Sequence, residues 1–250
     1  MCGQSTPIRP WHPHIRWVII DKGFTLIEMA IVLLIITLLL SGLLVPLSTQ
    51  VEQRKIAETQ KSLEEIKEAL IGFAIINGRL PCPAKSATEG DENVCTGAQP
   101  RTGFIPWAAL GVPKLDGWGH IFRYSVTPAF TLAPPNGPTL TTLRDITITT
   151  RDSAGTPINL SNVNSIPAMV LSHGRNGYGA FDDQGVAQSP VPVANADEVD
   201  NKNIAPIQAI FISRPQTDNP AAAGGEFDDI VVWLSPNILF NRMVAAGKLP

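Results

Sequence analysis

Residues 22–45 read KGFTLIEMAIVLLIITLLLSGLLV, from Lys22 to Val45. From Phe24 onward the only charge in this run is Glu28. A helix of that length reaches roughly 33 Å at 1.5 Å per residue, enough to cross a hydrocarbon core of about 30 Å. A carboxylate inside hydrocarbon is costly unless something compensates it. Glu28 lies near one end of the run, which leaves two readings. Either it snorkels to the interface, or it is paired and has a function there.

The chain has 250 residues and a formal net charge of −3. Its first 23 residues carry Arg9, Arg16 and Lys22 against Asp21, a net +2, so the remainder carries −5. No basic cluster comes after the apolar run, which gives no support to nucleic acid as a partner. Basic residues ahead of the span keep the N-terminus in the cytoplasm and export the chain beyond Val45. Cys82 and Cys95 then face an oxidising compartment. They form either a disulfide, stabilising by about 3 kcal/mol in the chain-entropy model, or two buried free thiols. There is no CxxC spacing to suggest zinc.

The stretch Gly23-Phe24-Thr25-Leu26-Ile27-Glu28 resembles the cleavage and methylation motif of type IV prepilins and type II secretion pseudopilins. The match comprises glycine, then Phe, then Glu four residues after Phe, then an unbroken apolar helix. The resemblance covers only about the first 25 residues of the processed chain. It implies that a membrane prepilin peptidase cuts between Gly23 and Phe24 and methylates the new amine. Glycine suits such a site because it has no side chain to obstruct a protease. It also implies that Glu28 pairs with the N-terminal amine of a neighbouring subunit in a filament. One departure stands out: residues 17–20, WVII, are more apolar than the short basic leaders of that family.

After the span comes Pro46, read as a bend in a continuing helix, the other reading being a break at the membrane exit. Leu63, Ile66, Leu70, Phe73 and Ile76 then recur at helical spacing. The opposite face carries charges such as Lys61, Glu64, Glu65 and Lys67, either solvated or touching other subunits. Asn77-Gly78 with Pro81 beyond signals a stop. The spacing therefore predicts one helix from Phe24 to Asn77. Short β-rich runs come next, near Ile121–Thr127, Ile146–Thr150, Ala168–Ser172, Ile207–Ser213 and Ile230–Leu234. Residues 185–206 read as a long polar loop, and Ser235-Pro236 opens a last helix with Ser235 as cap. The expected fold class is α+β, a long N-terminal helix packed on a C-terminal antiparallel β-sheet. Type IV pilin-like subunits share that architecture. The expected parts are a leader (1–23), a transmembrane helix segment (24–45), its amphipathic continuation (46–78) and a β-rich head (79–250).

Two constellations invite chemistry. Asp116-Gly117-Trp118-Gly119-His120 resembles a pseudopilin turn, with His120 where asparagine usually stands. It reads as a tight turn with Gly119 at positive φ and Trp118 on the helix stripe. His120 serves there as a turn hydrogen bonder, or else as a ligand or base. LSHGRNGYGAFDD, residues 171–183, looks like the glycine-rich loop after a strand in pseudopilins, some of which bind calcium. Asn176, Asp182, Asp183, Asp228 and Asp229 offer oxygens of the type calcium takes, without EF-hand spacing. The competing reading is a capped turn with its carboxylates facing water. Ser172-His173 are mere sequence neighbours, and GxSxG, HExxH and a phosphate loop are missing. An enzyme is not expected.

The expectation is a structural subunit of a type IV pilus or a type II secretion pseudopilus, a system for protein transport. It would be a single-pass protein of the bacterial inner membrane, its N-terminus cytoplasmic and its head periplasmic, or extracellular in an assembled filament. Its partners would be prepilin peptidase, other pilin or pseudopilin subunits and the inner membrane. At 227 residues after the cut it is longer than typical major pseudopilins, which favours a minor subunit. The alternative is a membrane-tethered periplasmic binding module for a secreted substrate, DNA or a surface.

Overall fold

The computed structural model describes residues 23–94, 101–202 and 210–249, the side chains of residues 40–47 excepted. The chain forms two compact units, one up to Thr49 and one from Gln50 onward.

Helix α1 runs over Leu26–Asn77 and continues past Pro46. Thr25 and Glu28 start it as a capping box. The Thr25 N–H and hydroxyl both donate to Glu28 Oε2 at 3.0 Å, and the Glu28 N–H donates to Thr25 Oγ1 at 3.3 Å. These bonds satisfy donors that a helix start leaves open. Gly78, at φ +70°, stops it, its N–H donating to the Ala74 carbonyl. In the first unit every described side chain from Phe24 to Leu39 is exposed. Among the described residues no helix is long and apolar enough to cross a membrane.

In the second unit, strands β1 (Thr102–Phe104), β2 (Arg123–Val126), β5 (Ala168–Ser172) and β7 (Ile230–Trp233) form one antiparallel sheet in the order β1-β2-β5-β7. One face takes the apolar stripe of α1. Leu63, Ile66, Leu70, Ile71 and Ala74 are buried with Phe122, Tyr124, Val126, Ala168 and Val170. Helix α4 (Pro236–Ala245) adds Leu239 and Met243 to that core. The alternation of a strand sends Arg123, Met169, Leu171 and Val231 to the other side. There Met169, Leu171 and Val231 share a second core with Ile146, Ile148, Ile166 and Phe211. That core supports a second sheet in the order β4-β3-β6, built from β3 (Thr147–Arg151), β4 (Pro157–Asn159) and β6 (Ile210–Ile212). Strands β3 and β4 are antiparallel, whereas β3 and β6 are parallel. The fold is an α+β arrangement, as its elements imply, with sheets that are mostly antiparallel.

Two local expectations need correction, and one short helix was not foreseen. Residues 185–206 are not loop throughout, since a helix α3 occupies Ala196–Lys202. Ser235 has extended backbone before α4 but makes no side-chain capping bond; only its carbonyl enters the helix, accepting from Leu239 N–H at 3.0 Å. A one-turn helix α2 (Trp107–Leu110) stands between β1 and β2.

Candidate functional site

The turn at Asp116 docks onto α1 through backbone. Asp116 Oδ1 accepts the N–H groups of Trp118 and His120, each at 2.9 Å. Gly119 takes φ +89°, a conformation that favours glycine. The Gly117 N–H donates to the buried Thr59 hydroxyl at 2.9 Å. A Cβ at Gly117 would come within 2.6 Å of the Lys55 carbonyl oxygen, so only glycine fits between turn and helix. Trp118 Nε1 reaches Glu52 at 3.4 Å. His120 thus serves the turn as a backbone donor. Its ring stands 3.7 Å from Asp116 Oδ2, and that carboxylate raises the imidazole pKa. Ser172 Oγ donates to the same Oδ2 at 2.6 Å. The serine bonds the aspartate and not a histidine.

Beyond β5 the glycine-rich loop meets the residues after Phe227. Asn176 N–H donates to Asp228 Oδ2 at 2.7 Å, and its side-chain amide to Glu198 Oε1 at 2.8 Å. Glu198 Oε1 also accepts the Asp228 N–H. Its Oε2 accepts from Asn195 at 3.3 Å. Asp229 Oδ2 accepts from Asn201, and its Oδ1 lies 3.3 Å from His173 Nδ1. Asp228 Oδ1 is buried and has no partner among the described residues. Glu198, Asp228 and Asp229 each bring an oxygen within 4.8 Å of the others. Burial, reinforced by the Asp229 charge, pushes Glu198 up to about 7. Burial also pushes Asp228 up to about 7, with the charges of Asp229 and Glu198 adding to it.

Of the residues read as possible calcium ligands, Asn176, Asp228 and Asp229 come together; the two aspartates are buried rather than facing water, and Asn176 is half-buried. Asp182 and Asp183 do not join them. Phe181 is held against the Arg123 guanidinium and, edge to face, against Phe104. The chain then turns sharply, with Asp182 Oδ1 accepting from Gln184 and Val186. In their place stands Glu198 on α3, which the sequence reading missed. Three carboxylates fall short of the six to eight oxygens calcium takes. The Asn176 side-chain oxygen is also spent, accepting the Tyr178 N–H at 2.8 Å. The remaining oxygens would have to come from backbone carbonyls or water.

The expected Cys82–Cys95 pairing involves Cys95, which lies outside the described residues. The described part of that loop doubles back. Ala84 bridges Glu92, the Pro83 carbonyl accepts the Asn93 N–H, and Arg79 grips the Glu92 carboxylate with two donors.

At the other end of the chain, Gly23, Phe24 and Glu28 stand together at the start of α1, Phe24 exposed and Glu28 in its capping box. Residues 21–44 match the family model of the prokaryotic N-terminal methylation motif. The chain carries a prepilin-type processing signal. Those residues are similar to the cleavage and methylation signal of type IV prepilins and pseudopilins. That signal implies processing by prepilin peptidase, assembly with other pilin subunits, and a protein that is membrane-anchored or filament-associated. No curated protein and no solved structure matches the chain.

Proposed function

We propose that this precursor is a structural subunit, and a minor one, of a type IV pilus or a type II secretion pseudopilus. The observation that carries the reading is the pairing of Gly23-Phe24 with Glu28 at the head of a helix that later packs into a sheet domain. Prepilin peptidase cuts after Gly23. Residues 24–45 then anchor the chain in the inner membrane, with the head on the periplasmic side. On assembly the cationic N-terminus of one subunit meets Glu28 of another, removing the cost of an unpaired charge in an apolar surrounding. The protein is not an enzyme in this reading.

A tethered binding module would carry the same signal but would not polymerise. Cysteines placed in α1 between Ile31 and Leu39 distinguish the two. Disulfide crosslinks between α1 helices of neighbouring subunits, in cells that express the assembly machinery, are expected of a filament subunit. A chain that is processed but never crosslinks overturns the proposal in favour of the binding module.

A further inference from the structure

The chain carries three Asn-Gly pairs, Asn77-Gly78, Asn136-Gly137 and Asn176-Gly177. Such a pair is chemically labile, because a glycine has no side chain to keep its amide nitrogen from the asparagine carbonyl in front of it. The reaction also needs both groups to be free. The fold ties up two of the pairs. Asn77 Nδ2 donates to the Phe73 carbonyl at 3.0 Å, and the Gly78 N–H donates to the Ala74 carbonyl at 2.9 Å. Asn176 Nδ2 donates to Glu198 at 2.8 Å, while its Oδ1 accepts the Tyr178 N–H at 2.8 Å. Gly78 and Gly177 are both buried.

Asn136-Gly137 lies in a different setting. Residues 132–136 are all exposed, and Gly137 is not buried. The Asn136 backbone N–H donates to the Ala133 carbonyl at 3.1 Å. The Asn136 side chain and the Gly137 N–H make no hydrogen bond among the described residues. We propose that Asn136 is a site of spontaneous deamidation in the folded head. The Gly137 amide nitrogen gives its proton to solvent and bonds to Asn136 Cγ. The Cγ–Nδ2 bond breaks, and ammonia leaves. Water then opens the cyclic imide at either carbonyl, leaving aspartate or, with the chain rerouted through the side chain, isoaspartate. Water is the co-reactant, and nothing is oxidised or reduced. The product adds a negative charge to a loop that rests on the stop of α1, where a Cβ at Gly137 would lie 3.3 Å from the Gly78 carbonyl oxygen. Negative charge is unfavourable at that end of a helix. The proposal does not depend on whether the chain enters a filament or works as a tethered receptor.

The test incubates the full-length protein in detergent micelles at mildly alkaline pH. Samples are digested with pepsin in acid, which suppresses further reaction, and the peptides are weighed. The Asn136 peptide is expected to gain the mass difference between an amide and an acid, and to split into aspartate and isoaspartate forms on chromatography. The Asn77 and Asn176 peptides should convert about tenfold or more slowly, since each must first give up two hydrogen bonds. In guanidinium chloride, which unfolds the head, the three rates should converge. No conversion at Asn136 in the folded protein, or Asn77 or Asn176 keeping pace with it, overturns the proposal. So does a lead of Asn136 that persists in the unfolded chain, which assigns the difference to neighbouring sequence and not to the fold. Aspartate without isoaspartate overturns the route through the cyclic imide. Asn136→Gln should lose the mass gain at this position over the same time, and a gain that persists there overturns the assignment to Asn136.

Discussion

Glu28 serves two partners. Within its own chain it closes a capping box with Thr25; in a filament it is proposed to meet a neighbour's amine. The two roles separate by substitution. Thr25→Val removes the capping hydroxyl and costs the helix start about 1 kcal/mol, and incorporation into sheared filaments should stay near that of the parent. Glu28→Gln keeps an acceptor but removes the charge. Membrane insertion should persist while incorporation falls about tenfold, the scale of a charge-assisted bond, as measured by immunoblot of filament and membrane fractions. Gly23→Ala should leave the leader attached, visible as unprocessed intact mass. The buried carboxyls supply a pH prediction. Glu198 and Asp228 are pushed up to about 7, against ordinary values near 4 in an unfolded chain. Between those limits the folded protein holds more protons, so stability falls as pH rises from about 4.5 to 7. The groups facing the pair are Asp229, His173 and Arg175. Urea midpoints should drop from pH 5 to pH 8, and Asp228→Asn should flatten that slope. It should not abolish it, because His120, raised by Asp116, loses its proton in the same direction.

At the scale of elements, the contact between α1 and the Asp116 turn depends on the missing side chain of Gly117. Gly117→Ala forces its Cβ against the Lys55 carbonyl. It should destabilise by about 1–3 kcal/mol, the usual cost of overpacking, lowering the thermal midpoint without changing processing. Elements with a strong period were legible in the sequence. The stripe Leu63, Ile66, Leu70 is the buried face of α1, and β5 occupies Ala168–Ser172 as read. Strands β1 and β4, of three residues each, are too short to display alternation. Helix α3 was hidden for a different reason. Its sequence ADEVDNK has a single large apolar residue, so no apolar stripe exists. Its buried face is polar instead: Asp197 binds Arg151 and Arg214, Glu198 binds Asn176, and Asn201 binds Asp229. Two of the three carboxylates of the acidic site were therefore readable from the FDD run at 227–229. The Glu198 contribution was not, although Asn195 and Glu198, three apart, carry the spacing of a helix start. The same spacing in Thr25 and Glu28 was equally visible, masked by the conspicuous charge in an apolar run.

For the whole molecule, intact mass of the processed protein reports three events together: the cut after Gly23, an added methyl group, and oxidation of Cys82 with Cys95. The folded-back loop around Arg79 and Glu92 favours the bridge. Non-reducing mass should be two hydrogens lighter than reduced mass, and reduction should cost about 3 kcal/mol in the chain-entropy model, read as a lower urea midpoint in the reduced protein. The cap on α1 has a further consequence for polymer growth. Both Thr25 donors land on Oε2 of Glu28, and Oε1 has no bond among the described residues. An incoming amine can dock on that spare oxygen while the first helical turn stays wound. The ordering cost of that turn is then met during folding, before any subunit joins. In the proposed filament each newcomer then joins with its helix start already formed, so collision and orientation limit the step and no rewinding is needed.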